Sequence, residues 1–523
     1  MQIISARDAA QLISDGMTVA LGGFGAYSAP DCLLQAISQR YADCGHPREL
    51  TVFTGISAGN FDRANGMGLS RLSAKGLLGT VIAGHIGNPP DIAELVGTNQ
   101  IAGYTLPLGV VMHLFRAIAG RKPGVLTNVG LGTFADPRVE GCVANEKAAA
   151  QGREIVKLLE LEGEEYLLYK SFPLDLCLIR GTYADERGNI SLAHEALTEA
   201  QLEIAAAVHN SGGKVIVQVE DIVQAGSLPA KQVRIHGSLV DYVVKSEPAL
   251  HMQSYASPVY RPELAGEVKK PVDSIPPLKL SLRKVIARRG AMELEPGCLI
   301  NLGIGIPSGV GNVANEEGIA DTMTLSLESG PIGGVPEAGV GFGGSVNAEA
   351  IIGIPDTFDM YDGGVLDATF LGAAEVDRFG NVNVSKFGTR CTGPGGFINI
   401  SQNTPKVCFM LAFTSGKPEM EIDGGSLRII KEGDGIKFVE KVQQITFSGE
   451  YARKKGQKVM YITERAVFEL RDVGVTLTEI APGVDLERDV LAHMGFMPAI
   501  SDDLRPMDAR LFREQKMGLG SPV

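Results

Sequence analysis

An internal repeat constrains this 523-residue chain more than any other feature of its sequence. Residues 185–190 (DERGNI) resemble residues 377–382 (DRFGNV), and residues 214–217 (KVIV) resemble residues 406–409 (KVCF). Both pairs are separated by 192 positions, a shared offset that unrelated short matches rarely show. The sequence therefore predicts a duplicated domain.

The start of each half supports the duplication. A helical pattern leads into a short apolar strand and then a G-x-G-x-x-S turn, at Gly23–Ser28 and again at Gly303–Ser308. Between this turn and the repeated aspartate motif the first half is roughly 90 residues longer, which predicts an insertion. Five prolines between residues 258 and 277 predict an extended linker, because proline lacks a backbone N–H and restricts its neighbour. We therefore predict an N-terminal domain over 1–257, a linker over 258–280 and a C-terminal domain over 281–523.

Short β-branched runs such as Val215–Val219 alternate with helical patterns along both halves. Continuous apolar strands between helices are typical of parallel sheets covered on both faces. We expect two similar open, mostly parallel α/β domains, duplicated and fused. Ligands of such sheets bind outside the carboxyl ends of the strands, which suits a chain with 65 glycines.

Charge and composition exclude several function classes. The formal net charge of −13 argues against nucleic acid or an anionic membrane as a partner. The sequence has no apolar run of 18 residues and no visible secretory signal, so we expect no membrane contact and a cytoplasmic location. Seven scattered cysteines without a C-x-x-C pair, and the lack of an HExxH motif, predict reduced thiols and no metal site.

Two glycine motifs have weak functional interpretations. Gly55–Gly59 matches G-x-S-x-G, but Asn60 and Gly66 follow where a nucleophile elbow needs a helix, so we predict an ordinary loop. The G-x-G turns lack the third glycine of a dinucleotide fingerprint. They remain either backbone cradles for a phosphate or thioester, or tight turns without a ligand.

The most unusual segment is Leu325–Pro336, with sequence LSLESGPIGGVP. A strand-like run, Met323–Leu327, ends in the single carboxylate Glu328 and enters a turn of small residues that lets a ligand approach closely. The alternative is a solvated loop glutamate, as we expect for Glu337. We predict that Glu328 points into the ligand cleft.

These residues resemble a known family. The segment Glu328–Gly334 is similar to the catalytic signature of the family I coenzyme A transferases, and the likeness to the single-chain propionate/acetate type spans essentially the whole chain. Further matching segments are Gly130–Arg138, Gly181–Asp185, Tyr361–Asp367, Gly393–Ile400, Tyr461–Phe468 and Glu479–Asp485.

The resemblance implies a fold and an activity. It implies a CoA-transferase-like fold and transfer of CoA from a short-chain acyl-CoA to a free acid of the acetate, propionate or 3-ketoacid class. The implied mechanism is ping-pong, with Glu328 as nucleophile and a glutamyl-CoA thioester as intermediate. Coenzyme A is then a cosubstrate, no cofactor stays bound, and the chain is a homotetramer or homodimer.

Several residues are candidates for binding the substrate, and some of them have a second interpretation. Gly395 and Gly396, beside Gly23 and Gly25, are candidate N–H donors to the oxyanion. Asn347 is a candidate for holding substrate or CoA by its amide, and equally a turn-forming asparagine. Leu108 departs from the family, which usually has a glutamine there that is thought to bind the oxyanion. Either another N–H replaces it, or activity is altered, or the pocket prefers a more apolar acyl group.

Two other functions fit the same scaffold. An acyl-CoA hydrolase would use Glu328 similarly and admit water, and a non-catalytic acyl-CoA or sugar-phosphate sensor would bind without turnover. The intact Glu328 signature favours the transferase. The sequence does not specify the acids that are exchanged.

Overall fold

The computed structural model describes residues 1–271 and 277–520, and the chain forms two compact units. The first consists of Met1–Lys270, Leu327–Asp359 and Ser385–Asn399, and the second of Pro271–Ser326, Met360–Val384 and Ile400–Val523. These units differ from the predicted domains, because 327–359 and 385–399 group with the first unit. Each segment contains short strands, loops and the first residues of one α-helix, Ile354–Asp362 or Phe397–Asn403.

Eight parallel strands form the main sheet of the first unit. In spatial order they are Gln2–Ile3, Tyr242–Lys245, Lys214–Val219, Leu176–Arg180, Thr18–Leu21, Leu50–Ile56, Leu78–His85 and Ala102–Thr105. Valines in register, such as Val19, Val52 and Val81, are almost completely buried. The α-helices lying wholly within this unit are Ala6–Gln11, Asp31–Cys44, Pro90–Gly97, Leu108–Ala119, Glu146–Gln151 and Gln201–Asn210.

The second unit contains eight neighbouring strands of another sheet, of which the first five are parallel. In spatial order they are Thr324–Ser326, Leu299–Leu302, Ala368–Gly372, Lys406–Met410, Lys458–Ile462, Ala466–Arg471, Gly474–Ile480 and Ala499–Pro506. Its own α-helices are Leu282–Ala291, Gly309–Glu317 and Gly449–Lys455, while Ile354–Asp362 and Phe397–Asn403 contain residues of both units.

The strand order confirms the duplication. The order 242–245, 214–219, 176–180, 18–21, 50–56 in the first unit matches the order 458–462, 406–410, 368–372, 299–302, 324–326 in the second. The aspartate motif repeats atom by atom: Asp185 Oδ1 accepts from the backbone N–H groups of Arg187 and Asn189 at 2.9 and 3.0 Å, and Asp377 Oδ1 accepts from those of Phe379 and Asn381, both at 3.0 Å. The predicted fold class, two similar and mostly parallel α/β domains, is confirmed.

The extra residues of the first half contain a separate three-stranded antiparallel sheet. Its order is Gly124–Thr127, Glu164–Lys170, Val156–Leu161, so the hairpin 156–170 places its second strand in the centre. Both units contain further short strands. In the first unit these are Tyr183–Asp185, Ile190–Ser191, Asp221–Val223, Val233–Ile235, Pro331–Ile332, Val335–Pro336, Ser345–Val346, Ala350–Ile351, Lys386–Phe387 and Arg390–Cys391. In the second unit they are Glu375–Asp377, Val382–Asn383, Thr414–Ser415, Glu419–Asp423, Ser426–Lys431, Gly435–Ile436 and Phe438–Val439.

The predicted linker has no helix or strand over 258–271 and 277–280, and residues 272–276 of it lie outside the described residues. The domain boundaries themselves stay a prediction. Within 1–271 and 277–520 no helix is long and apolar enough to cross a membrane. Over the same ranges no group of three or more His, Cys, Asp or Glu side chains is arranged to hold a metal ion.

Candidate active site

Glu328 lies in a tight turn of the first unit. The N–H of Leu327 donates to Pro331 O at 2.9 Å, and the N–H of Gly330 donates to Leu327 O at 3.0 Å. Gly330 has φ +118°, and a Cβ there would lie 2.2 Å from Ile352 O, so only glycine fits this position. Its two neighbours in sequence are buried while Glu328 as a whole residue is partly exposed, so the turn holds Glu328 in a recess.

Burial raises the pKa of Glu328 to about 7, and a hydrogen bond from the backbone N–H of Gly396 partly opposes this by favouring the charged form. Among residues 1–271 and 277–520, no cationic side chain contributes to the shift. A carboxylate that is poorly solvated and unpaired with a cation is more basic than usual, and is therefore a better nucleophile.

The loop Gly393–Gly396 supplies the backbone N–H that donates to Glu328. The N–H of Gly395 donates to Gly84 O at 3.0 Å, and Gly395 O accepts from the N–H of Leu108 at 2.9 Å. These bonds attach the loop to the carboxyl end of the strand Leu78–His85 and to the first residue of the helix Leu108–Ala119. A Cβ on Gly396 would lie 1.9 Å from Glu328 Oε2, so the missing side chain is what allows the carboxylate to reach this N–H.

Leu108 is fully buried. Its Cδ1 lies 3.1 and 3.2 Å from the positions that a Cβ on Gly55 and on Gly84 would take, so the side chain packs over two glycines of neighbouring strands. The residue connects to the Glu328 site through its backbone N–H, by way of Gly395. Its side chain has no hydrogen-bond donor to offer.

Gly23 and Gly25 have positive φ angles of +113° and +59°. The N–H of Gly23 donates to Glu199 Oε2 at 2.8 Å, so a buried carboxylate already accepts this N–H. A Cβ on Gly25 would lie 3.2 Å from Asn88 Nδ2. The structure thus shows a supported turn here, and its use as a ligand cradle stays a prediction.

Asn347 has φ +62°, and both ends of its amide bond the backbone of Lys270. Lys270 N–H donates to Asn347 Oδ1 at 2.8 Å, and Asn347 Nδ2 donates to Lys270 O at 2.7 Å. This geometry is that of the turn-forming alternative, and a ligand contact by this amide stays a prediction. Glu337 is not solvated as expected, because Arg261 binds its two carboxylate oxygens at 2.7 and 2.9 Å.

The segment Gly55–Gly59 forms the end of a strand and a loop, and no α-helix follows before residue 90. A nucleophile elbow requires such a helix, so the prediction of an ordinary loop is confirmed.

Glu199 is a residue that the sequence reasoning missed. Its side chain is buried, Oε2 accepts from Gly23 N–H and from Gln201 Nε2, and Oε1 has no hydrogen-bond partner among the described residues. Burial raises its pKa to about 8, and the nearby Glu195 carboxylate adds to the shift. The sequence offers no signal for it, since a lone glutamate before a helix usually faces solvent.

Glu199→Gln is expected to change the pH dependence of stability. A carboxyl whose folded pKa lies above its ordinary value binds its proton more tightly in the folded state, so the free energy of unfolding falls as pH rises from about 4.5 to about 8. Glutamine cannot ionise, so the stability difference between pH 6 and pH 9 should shrink by about 2–4 kcal/mol. Thermal unfolding followed by circular dichroism at both pH values measures this, with Glu160→Gln as an exposed control. An unchanged pH dependence in Glu199→Gln would contradict the assignment.

The structure combines a duplicated parallel α/β fold with a recessed carboxylate that faces a side-chain-free N–H, and comparison with known proteins gives the family. Residues 3–246 match the coenzyme A transferase family, and full-length relatives extend the match to the whole chain. The chain belongs to the coenzyme A transferase family and is a CoA-transferase, with CoA as its cosubstrate.

Two relatives and one solved structure show the extent of the likeness. The chain is 46% identical to caffeate CoA-transferase of Acetobacterium woodii, covering 99% of this chain and 98% of that protein. It is 41% identical to acetate CoA-transferase YdiF of Escherichia coli K12, with 99% and 97% covered. The crystal structure of the YdiF apoenzyme from Escherichia coli O157:H7 superposes with a TM-score of 0.92 at 40% identity, again over 99% of this chain and 97% of that one.

Proposed function

We propose that this enzyme transfers CoA between a short-chain acyl-CoA and a free carboxylic acid through a glutamyl-CoA thioester on Glu328. The observation that carries the proposal is the recessed Glu328 carboxylate against the N–H of Gly396. A second support is that a structure of YdiF, 39% identical with a TM-score of 0.91, is described as a thioester complex with CoA.

The chemistry divides into displacements that balance without ATP. A Glu328 oxygen attacks the thioester carbonyl, the C–S bond breaks, and a mixed anhydride and CoA thiolate result. The thiolate sulfur then attacks the glutamyl carbonyl, the anhydride C–O bond breaks, and the first acid leaves as its carboxylate. A second carboxylate enters and the same steps run in reverse, which restores Glu328.

Each tetrahedral intermediate places negative charge on an oxygen beside Glu328. The N–H of Gly396 is the donor that we assign to this oxyanion, and the bonds of Gly395 to Gly84 and Leu108 hold its loop in place beforehand. Because burial raises the pKa of Glu328 to about 7, the share of the nucleophilic carboxylate form grows as the pH rises through this range. We also propose that the chain forms a homodimer or homotetramer.

The names of the relatives suggest two classes of acceptor acid. We propose acetate, propionate or a 3-ketoacid as acceptor, in keeping with the acetate-specific name of one relative, while the caffeate-specific name of the other makes an aromatic acid the second candidate. The apolar Leu108 beside the loop of Gly395 suits either an alkyl or an aryl group.

An acceptor panel tests the proposal. With propionyl-CoA as donor, acetate, butyrate, lactate, acetoacetate and caffeate are offered in turn, and new acyl-CoA is measured by mass spectrometry. We expect product that depends on the acceptor. CoA release without an acceptor indicates a hydrolase instead, and no turnover above background with any acid indicates a binding protein.

Leu108→Gln is expected to change acyl selectivity more than CoA binding. A glutamine amide that reaches the oxyanion lowers the barrier by roughly 2–4 kcal/mol, which would raise kcat for small acids while the KM for CoA substrates changes little. The same acceptor panel measures this, and Leu108→Met is the control that keeps an apolar side chain. Unchanged kinetics for every acid would show that another group already stabilises the oxyanion.

A further inference from the structure

The inserted antiparallel sheet of the first unit has apolar side chains on its outward face. Strand pairing places Leu126 opposite Leu168, and Leu159 opposite Tyr166. Alternate residues of a strand point to the same side, so these four side chains share one face with Leu161. We call these five residues the leucine face.

The leucine face is exposed. Leu126, Leu159 and Leu161 are 45%, 38% and 51% exposed, and Tyr166 and Leu168 are partly exposed. The opposite face of the same central strand already supplies the buried side chains of Leu167 and Tyr169. An antiparallel sheet with one buried face normally has polar residues on the other, so a second apolar face indicates an interaction surface.

Charges lie at both ends of this face. Glu164 begins the central strand and Lys170 ends it, about 20 Å away at about 3.4 Å per residue, and both side chains alternate onto the side of the leucine face. Lys157, opposite Leu168, adds a second cation towards the end that carries Lys170. Both lysines also contact Glu154, at 2.8 Å from Lys170 and 3.3 Å from Lys157.

We propose that the leucine face packs against the same face of a second copy of this chain. The two copies are related by a two-fold axis that lies between the two sheets and is perpendicular to the central strand. Such an axis reverses the strand direction, so Glu164 of each copy meets Lys170 of the other while the leucines pack between them. A two-fold interface must be self-complementary, and an apolar centre with opposite charges at its two ends has that property. The inference rests on the homo-oligomer proposed above and names its surface.

Other occupants fit the face less well. The hairpin end of this sheet carries four exposed glutamates, Glu160, Glu162, Glu164 and Glu165, which would repel an anionic membrane. An unrelated partner protein would have no need of opposite charges placed symmetrically at the two ends.

Sedimentation of the full-length enzyme tests the surface. In the double variant Leu126→Asp/Leu159→Asp each copy brings two carboxylates into the apolar centre, so we expect the dissociation constant to rise at least about 100-fold and the mass to fall to half that of the wild type. Val473→Asp is the matched control, because Val473 is 78% exposed and lies outside this sheet. Both leucines are exposed in the single chain, so the variant chain should stay folded, with the far-UV circular dichroism spectrum of the wild type.

A charge exchange provides the second arm. Glu164→Lys places lysine against Lys170 and Lys170→Glu places glutamate against Glu164, so each single variant should weaken association, and the double variant should recover most of it. A monomeric wild type, or an unchanged mass in the leucine variant, would overturn the proposal. If the enzyme transfers CoA as a monomer, the proposed interface is wrong and the proposed function stands. If it associates through the leucine face but does not transfer CoA, the proposed function is wrong and the interface stands.

Discussion

Glu328→Gln should abolish CoA transfer, with kcat reduced by at least about 10⁴-fold, because a neutral amide cannot attack a thioester carbonyl. Incubation of the wild type with acyl-CoA and no acceptor should leave CoA attached to Glu328 as a thioester. Borohydride then reduces that thioester to an alcohol, shifts the mass of one peptide and destroys activity. The variant should show no such adduct, with little loss of affinity for CoA.

Two neighbouring carboxylates serve as controls for this assignment. Glu337 is bound by Arg261, and Glu349 is exposed, so neither Glu337→Gln nor Glu349→Gln should remove the label. A borohydride label on either residue would show that the nucleophile is misassigned even though the family is right. Glu328→Asp keeps the charge but withdraws it by one methylene, which should cost on the order of 100-fold in kcat and shift the residual activity towards hydrolysis.

Gly396→Ala should have the second largest effect. The added Cβ would lie 1.9 Å from Glu328 Oε2, and since this oxygen ends a flexible side chain, the carboxylate rather than the backbone will move. A displacement of about 1 Å costs on the order of 100-fold in kcat, and the hydrogen bond from the Gly396 N–H is lost with it. The measurement is kcat and KM with the best donor and acceptor pair.

The control for Gly396→Ala is Gly372→Ala. Gly372 ends a strand of the second unit, has no positive φ, and a Cβ there meets nothing within 4 Å. Both variants should unfold at nearly the wild-type temperature, and only Gly396→Ala should lose activity. Equal activity of the two would show that the approach of Gly396 to Glu328 has no part in catalysis.

Some parts of the fold follow from local pattern. The aspartate motif at Asp185 and Asp377 bonds the backbone two and four residues ahead, so its geometry is set within a short segment and its repetition marks the duplication. Continuously apolar strands between helices likewise indicate a parallel sheet, because helices cover both faces of such a sheet. The position of Glu328 in a turn of small residues was predictable because the strand-like run before it and the glycines after it are adjacent in sequence. Its raised pKa was not predictable.

The segments around the active site behave differently. Residues 327–359 and 385–399 combine short strands, loops and the first residues of an α-helix. This local pattern does not say which unit they join, and they group with the first. Asn347 shows the same limit, because whether its amide faces a ligand or Lys270 depends on a partner 77 positions away.

From the sequence alone came the duplication, the α/β class, the family resemblance and Glu328 as the candidate nucleophile, because each depends on residues adjacent in the chain or on a repeated spacing. Only the tertiary structure brought Gly396 to Glu328. It also formed the backbone hydrogen bonds of Gly395 with Gly84 and Leu108, and the hydrogen bond from the N–H of Gly23 to Glu199. These contacts join residues dozens to hundreds of positions apart. Their energies come from burial and from backbone groups that every residue possesses, so the sequence carries no local sign of them.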